Sequence, residues 1–426
     1  MSIYDKAGVV QIPSGYSAGT LYNVLPNTAD GDFDFTRGSS ATRVNKDGLI
    51  ETVATNTPRL DYPLIDGVVQ DCPALLLEPS RTNNMSHSED FSVYASAAAS
   101  RTANAGTSPT GENNATLIHP SSSGSNRGFY KFTATSTTAT LSCFVKRSGK
   151  NFAILGTDNN STYYCVFDLE NENVAYEATN YTGKIEKYSN GWYRISSTYV
   201  SSTAQNYPFI GVADNSSGSV TVDGTNGILI FGMQYEYNSY ATSYIQTSGA
   251  AVTRSADVCN GAGTSAEFND SEGVLFLETA ILANDGTFKF VSLSDGTLNN
   301  TVWIYYRSDT NQINFRVLSG GSSSFDEIYT INDSTLISKL CLKYKENDFS
   351  AWVNGFEVLT DTSGSTFSSG TLTTLEFNRQ DDAYFFYGKT KQLMTFKTAL
   401  TDSELETLTS WDSFNAMAKG QLYTIE

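Results

Sequence analysis

Between about residues 83 and 258, apolar and polar positions alternate with a period of two. Leu141, Cys143 and Val145 share one face of a strand, with Ser142, Phe144 and Lys146 on the other. Tyr163 to Leu169, Trp192 to Val200 and Gly227 to Tyr235 repeat the pattern, each bounded by Asn, Gly or Ser turns. Asn190-Gly191, just before Trp192, reads as a hairpin turn because both residues tolerate positive φ. Helical period is absent here, and an antiparallel sandwich is the arrangement that buries such strands.

A second unit of the same kind follows a turn-rich linker at Asn260-Gly261-Ala262-Gly263-Thr264-Ser265. Its strands are predicted over Gly273 to Ala283, Phe288 to Leu293, Val302 to Arg307, Ile313 to Leu318, Leu340 to Tyr344 and Phe349 to Val353, the last running into a turn at Asn354-Gly355. Near the end, Thr401 followed three residues on by Glu404 has the form of a capping box, which predicts one short helix through Leu408 to Trp411. The predicted fold is all-β: two antiparallel β-sandwiches, over 83–258 and 264–426, after an irregular N-terminal segment.

That segment, residues 1–82, carries turn clusters at Asn27 to Gly31 and Asn45 to Gly48, and prolines at 26, 58, 63 and 73. Its pieces are too short for a core of their own, and Ala74-Leu75-Leu76-Leu77 is its one apolar run. The expectation is a segment that lies against a partner, with Leu21, Val24, Leu75 and Leu77 in the contact. Removing it is expected to leave two soluble sandwiches.

Composition narrows the function classes. Gly 33 against Pro 9, with Tyr 25 and Phe 24, suits many short strands joined by tight turns. Lys+Arg 27 against Asp+Glu 45 gives 27 − 45 = −18, an acidity that repels phosphate backbones and argues against nucleic-acid binding. The first residues lack a basic stretch followed by an apolar run, and nothing approaches the length that crosses a bilayer, so neither a secretory signal nor membrane insertion is expected. Cys72, Cys143, Cys165, Cys259 and Cys341 are widely spaced, frame no Cys-x-x-Cys pair, and read as small apolar packing residues in a cytoplasm-synthesised chain.

Several runs carry a resemblance. Gln11 to Tyr16, Leu21 to Pro26, Phe35 to Asn45, Pro58 to Tyr62 and Leu75 to Asn83 together resemble the attachment segment at the front of bacteriophage tail and other virion proteins. Asn190-Gly191-Trp192-Tyr193-Arg194, Gly232 to Glu236, Ala241 to Ser248 and Val252 to Asp257 resemble the carbohydrate-binding modules that follow it, with Gln246 standing where that family has proline. Ala351-Trp352-Val353-Asn354-Gly355 and Phe396 to Leu405 are similar to laminin-G and concanavalin A-like lectin folds. The resemblance implies jelly-roll and concanavalin A-like sandwiches displayed on the virion surface, other virion proteins as partners of the N-terminal segment, host-surface polysaccharide as ligand, and a homo-oligomer, usually a trimer.

Catalytic constellations do not assemble from the sequence. Glu267, Asp270 and Glu272 have the wrong spacing for a carboxylate pair on one strand face, and Asp381-Asp382 point to opposite sides. His87 and His119 are the only histidines, and there is no Gly-x-Ser-x-Gly turn. The chain is read as no enzyme. Asp168, Glu170, Asp214, Asp223 and Asp295 are loop or strand-end carboxylates of the kind that hold structural calcium, yet they form no ligand run, so no metal or other cofactor is assigned.

Sugars are bound by stacking on exposed aromatics. In Thr301 to Arg307, Val302, Ile304 and Tyr306 make one face and Trp303, Tyr305 and Arg307 the other. The latter three are the candidate carbohydrate contacts; the alternative is that they pack against protein. Adhesion to host-surface glycans is the leading reading of function. A purely structural head-fibre, collar or capsid-decorating protein is the second, and a polysaccharide depolymerase the weakest.

Overall fold

The computed structural model describes residues 3–131, 133, 136–158, 161–205, 207–413 and 415–417. Every strand ladder among them is antiparallel.

The middle sandwich faces two six-stranded sheets against each other. One runs Ala99–Gly106, Ala115–Pro120, Gly227–Glu236, Ser136–Ser148, Trp192–Gln205, Tyr181–Lys187; the other runs Ala95–Ala97, Arg127–Tyr130, Phe209–Ala213, Phe152–Gly156, Tyr164–Asp168, Asn173–Glu177. Leu141, Cys143 and Val145 point into the shared core with Ile195, Ile210 and Val212, while Phe144 points out. The pleat dictates this split, since successive side chains leave a strand on opposite faces. At the turn before Trp192, Asn190 and Gly191 both take positive φ, 60° and 74°. Trp192 itself lies on the outward face beside Phe144 and is 1% exposed, because the N-terminal segment lays Ile50 over it.

The C-terminal sandwich pairs a five-stranded sheet (Ser322–Thr330, Gln312–Ser319, Thr301–Tyr306, Lys289–Ser294, Thr374–Glu376) with an eight-stranded one. Asn354 and Gly355, at φ 49° and 91°, close the two-residue hairpin between Phe349–Val353 and Phe356–Asp361. The helix Asp402–Thr409 carries the full capping box: Thr401 accepts from the Glu404 backbone and Glu404 accepts from that of Thr401. Its Leu405 and Leu408 cover the outer face of the large sheet against Phe276, Trp352 and Phe396.

The N-terminal segment departs from expectation. Three of the eight strands of the large sheet are its own: Ala7–Gln11 and Ala74–Leu77 both pair with Gly388–Phe396, and Leu60–Asp61 pairs with Ala74–Leu77. Phe33–Thr36 pairs with Val258–Asn260, so the turn-rich stretch before the second sandwich is held in a sheet rather than free. Leu21, Leu75 and Leu77, expected against a partner, are 0%, 0% and 1% exposed inside the C-terminal core with Phe33, Leu277 and Leu293. The physical reason is that the strand Gly388–Phe396 needs a neighbour on its second side and the segment supplies it. Full burial of each leucine contributes about 1.5–3 kcal/mol relative to exposure. Val24 alone of the four stays out, 47% exposed. Cys72 is exposed as well, whereas the other four cysteines are buried.

Candidate functional site

The strand Thr301–Tyr306 splits its faces as its alternation demands: Val302, Ile304 and Tyr306 enter the core. On the opposite face, however, Trp303 and Tyr305 are only 5% and 7% exposed, so neither presents a ring for stacking. Neighbouring strands cover them. Phe290, directly opposite Tyr305 in register, stacks on it at 4.1 Å and 8°, and Trp303 meets Phe290 edge-on at 5.4 Å. Leu318 and Phe288 complete the cluster, the Arg316 guanidinium lies 5.7 Å above the Trp303 ring, and Trp303 Nε1 donates to Gln380 Oε1 at 3.1 Å. Arg307 is turned to the hairpin end, donating to Gln312 and Asp309.

A ring that does face solvent beside this sheet is Tyr384, 43% exposed, in the loop before Gly388–Phe396 and not marked by the sequence pattern. It ends a tight loop closed by the bridge between Arg379 and Ala383, in which Asp382 and Tyr384 both take left-handed backbone, φ 55° and 53°. For a tyrosine this conformation costs about 1–3 kcal/mol and persists only where surroundings enforce it. Here Arg379 donates twice to Asp381, at 2.8 and 2.6 Å, and lays its guanidinium 4.6 Å over the Tyr384 ring. Phe288 meets that ring edge-on at 5.4 Å, and Asn378 Nδ2 donates to Asp382 at 3.1 Å. Around this platform the side-chain oxygens of Asn314 and Asn378 are buried without a hydrogen-bond partner among the described residues. No sequence signal marks the loop, because Asp-Asp-Ala-Tyr has no glycine to announce positive φ.

The middle sandwich carries an open cleft of about 450 Å³ beside the strand Ala99–Gly106, lined by Glu89, Asp90, Phe91, Arg101, Asn104 and Asn114 among others. Asp90 caps the turn Phe91–Val93 by accepting from Ser92 N at 2.9 Å. Arg101 fixes the same turn from the other side, donating to the carbonyls of Tyr94 at 2.9 Å and Ser92 at 2.7 Å, with its guanidinium 4.8 Å over Phe129. Glu89 accepts from the Tyr244 hydroxyl at 2.8 Å, and burial raises its carboxyl pKa although the hydrogen bonds from Tyr244 and Gln246 oppose that.

The acidic residues weighed for calcium or catalysis are each engaged by donors. Asp214 and Asp223 bracket the Lys150 ammonium at 2.7 and 3.0 Å; Asp168 and Asp295 accept from the backbone of their own turns. Glu170 accepts from Arg147 and Asn151. Glu267 accepts from Thr264, Asp270 from Gly370 and Leu372, and Glu272 pairs with Lys345. Among the described residues no three His, Cys, Asp or Glu side chains gather as a metal site.

What the motif residues do build is a buried ion network between segment and sandwiches. Arg37 donates to Asp257 at 3.0 Å, Arg254 pairs with Glu78 at 2.8 Å, and Arg59 reaches both acids. All five side chains are 3% exposed or less. Burial would raise the Glu78 pKa, but Arg254 and Arg59 outweigh it and hold the carboxyl well below its usual range.

No family model matches the sequence, and no curated protein matches it. Among solved structures, the chain is similar to the CBM40 domain of a Ruminococcus gnavus intramolecular trans-sialidase bound to α2,3-sialyllactose, at 14% identity over 33% of this chain and 84% of that one, with a TM-score of 0.28. It is similar to domain 4 of a Geobacillus stearothermophilus extracellular arabinanase in complex with arabinotriose, at 15% identity over 41% and 84%, with a TM-score of 0.31. It is also similar to domains LG4-5 of the mouse laminin α1 chain, at 12% identity over 71% and 89%, with a TM-score of 0.24. At these scores the reading of the site stays with its own geometry.

Proposed function

We propose that this chain is a non-catalytic adhesion protein on the surface of a bacteriophage particle, holding host-surface polysaccharide on the outer face of its C-terminal sandwich. The observation that carries the proposal is the Tyr384 ring, held outward in a strained backbone with the Arg379 guanidinium against it. An exposed ring stacks on the C–H face of a sugar, and the guanidinium beside it meets the hydroxyls. Strain kept at a surface aromatic points to use rather than to packing. The virion part of the reading rests on the runs that resemble phage attachment segments. A specific feature supports a docking role as well: Ile12, Tyr22, Val24 and Leu25 are 37–47% exposed, and the backbones of Val24 and Leu25 bond to that of Val10. Weak single contacts become effective when copies are linked, so the protein acts as a homo-oligomer, a trimer in this proposal.

The test is a glycan array with the full chain and with Tyr384→Asn. Asparagine tolerates left-handed backbone, so this change removes the ring and leaves the loop intact. At least one set of retained glycans, those held on the Tyr384 face, is expected to lose about tenfold in affinity in the variant. A full chain that retains no glycan overturns the adhesion reading, and light scattering that finds a monomer overturns the trimer.

A further inference from the structure

We propose that the cleft at the edge of the middle sandwich is a second carbohydrate site, built for an uncharged, hydroxyl-rich sugar rather than an acidic one; this rests on the adhesion reading above. Its volume of about 450 Å³ lies within the range of small-molecule sites, roughly 300–1,000 Å³. The polar groups around it alternate in kind. Glu89, Asp90 and the Asn114 side-chain oxygen accept; Arg101 and the Asn104 amide donate.

Two features make the cleft a built site rather than a surface dip. Arg101 is held rigid by two carbonyls and the Phe129 ring, and its described contacts include no carboxylate within ion-pair distance. Two of its five N–H groups are engaged on those carbonyls, which leaves donors for a ligand. Asn114 Oδ1 is buried at the lining without a hydrogen-bond partner among the described residues, and an unmet buried acceptor is costly until a donor arrives. A sugar hydroxyl is both donor and acceptor, so neighbouring hydroxyls can engage a carboxylate and an N–H at once. An acidic sugar would set its own carboxylate beside Glu89 and Asp90, in a chain of net charge −18. A cationic ligand would meet Arg101. The alternation therefore selects a neutral polyol.

Ala103 lines the cleft and is exposed on the strand Ala99–Gly106, so Ala103→Trp fills the space without entering the core. The experiment prints oligosaccharides of neutral hexoses and of hexuronates, and compares the full chain with Ala103→Trp, Asn114→Ala and Tyr384→Asn, each checked for an unchanged melting temperature. A set of neutral glycans is expected to weaken about tenfold or more in Ala103→Trp and Asn114→Ala, and less than about twofold in Tyr384→Asn. If Ala103→Trp binds every glycan as the full chain does, the cleft proposal fails and the adhesion reading stands. If the signals sensitive to Ala103→Trp are hexuronates, the assigned ligand class is wrong. A full chain that retains nothing removes the adhesion reading, and this proposal with it.

Discussion

Arg59 and Asp257 stand 198 positions apart and form an ion pair whose two side chains are both 0% exposed. One comes from the N-terminal segment and the other from the end of the middle unit. Asp257 also takes Arg37, and its backbone pairs with that of Glu78, which in turn takes Arg254. The segment is thereby fastened to the end of the middle unit.

Breaking this network from one side leaves buried arginines uncompensated. Asp257→Ala leaves Arg37 without a carboxylate and Arg59 with Glu78 alone, and loss of one partner of a buried pair costs about 3–5 kcal/mol. The expected result is an unfolding free energy lowered by that amount, read as a lower urea midpoint at constant slope. An unchanged midpoint would show that water reaches these guanidinium groups.

The same network sets an acid limit. The folded Glu78 carboxyl titrates below its unfolded value of about 4.3, so the stability it contributes is fully present above that pH and is lost as pH falls through the folded value. Unfolding free energy measured from about pH 6 to about pH 3 should fall more steeply in the parent than in Glu78→Gln. Parallel slopes would remove Glu78 from the acid response.

Deleting residues 1–80 should not leave two soluble sandwiches. The deletion takes three strands from the large sheet and uncovers Val291, Leu293 and Leu393, each 0–1% exposed in the intact chain. The truncated protein is expected in the insoluble fraction, or as a species that binds hydrophobic dye. A monodisperse product with native near-ultraviolet circular dichroism would contradict this.

Local features were legible in the sequence because their causes are local. The faces of Leu141, Cys143 and Val145, the positive φ at Asn354-Gly355 and the Thr401–Glu404 box each follow from a few neighbouring residues. What escaped depends on distant partners. Leu75 reads as one buried strand residue, yet nothing near it says that Thr390 is its neighbour across the ladder. Trp303 correctly faces away from the core, but Phe290, Arg316 and Gln380 close over it from other elements. Tyr384 was invisible because its exposure follows from an Arg379–Asp381 clasp, not from alternation.

The exposed apolar residues of the N-terminal segment give the last prediction. Val24 and Tyr22 are 47% and 42% exposed, and their backbones are tied to Val10 and Gly15. Their side chains therefore contribute little to folding, and surface changes of this kind usually stay within about 0.5 kcal/mol. In the docking role proposed above, the exposed side chains of Ile12, Tyr22, Val24 and Leu25 supply the contact. A carboxylate placed there would have to be desolvated on docking. Val24→Asp with Tyr22→Ser should thus leave the melting temperature and glycan retention of the free protein unchanged. If the protein is the virion component proposed above, its incorporation into particles, followed by complementation and immunoblotting of purified virions, should fall severalfold. Incorporation at the parent level would place the attachment contact elsewhere. A lowered melting temperature would show that the side chains of Tyr22 and Val24 belong to the fold instead.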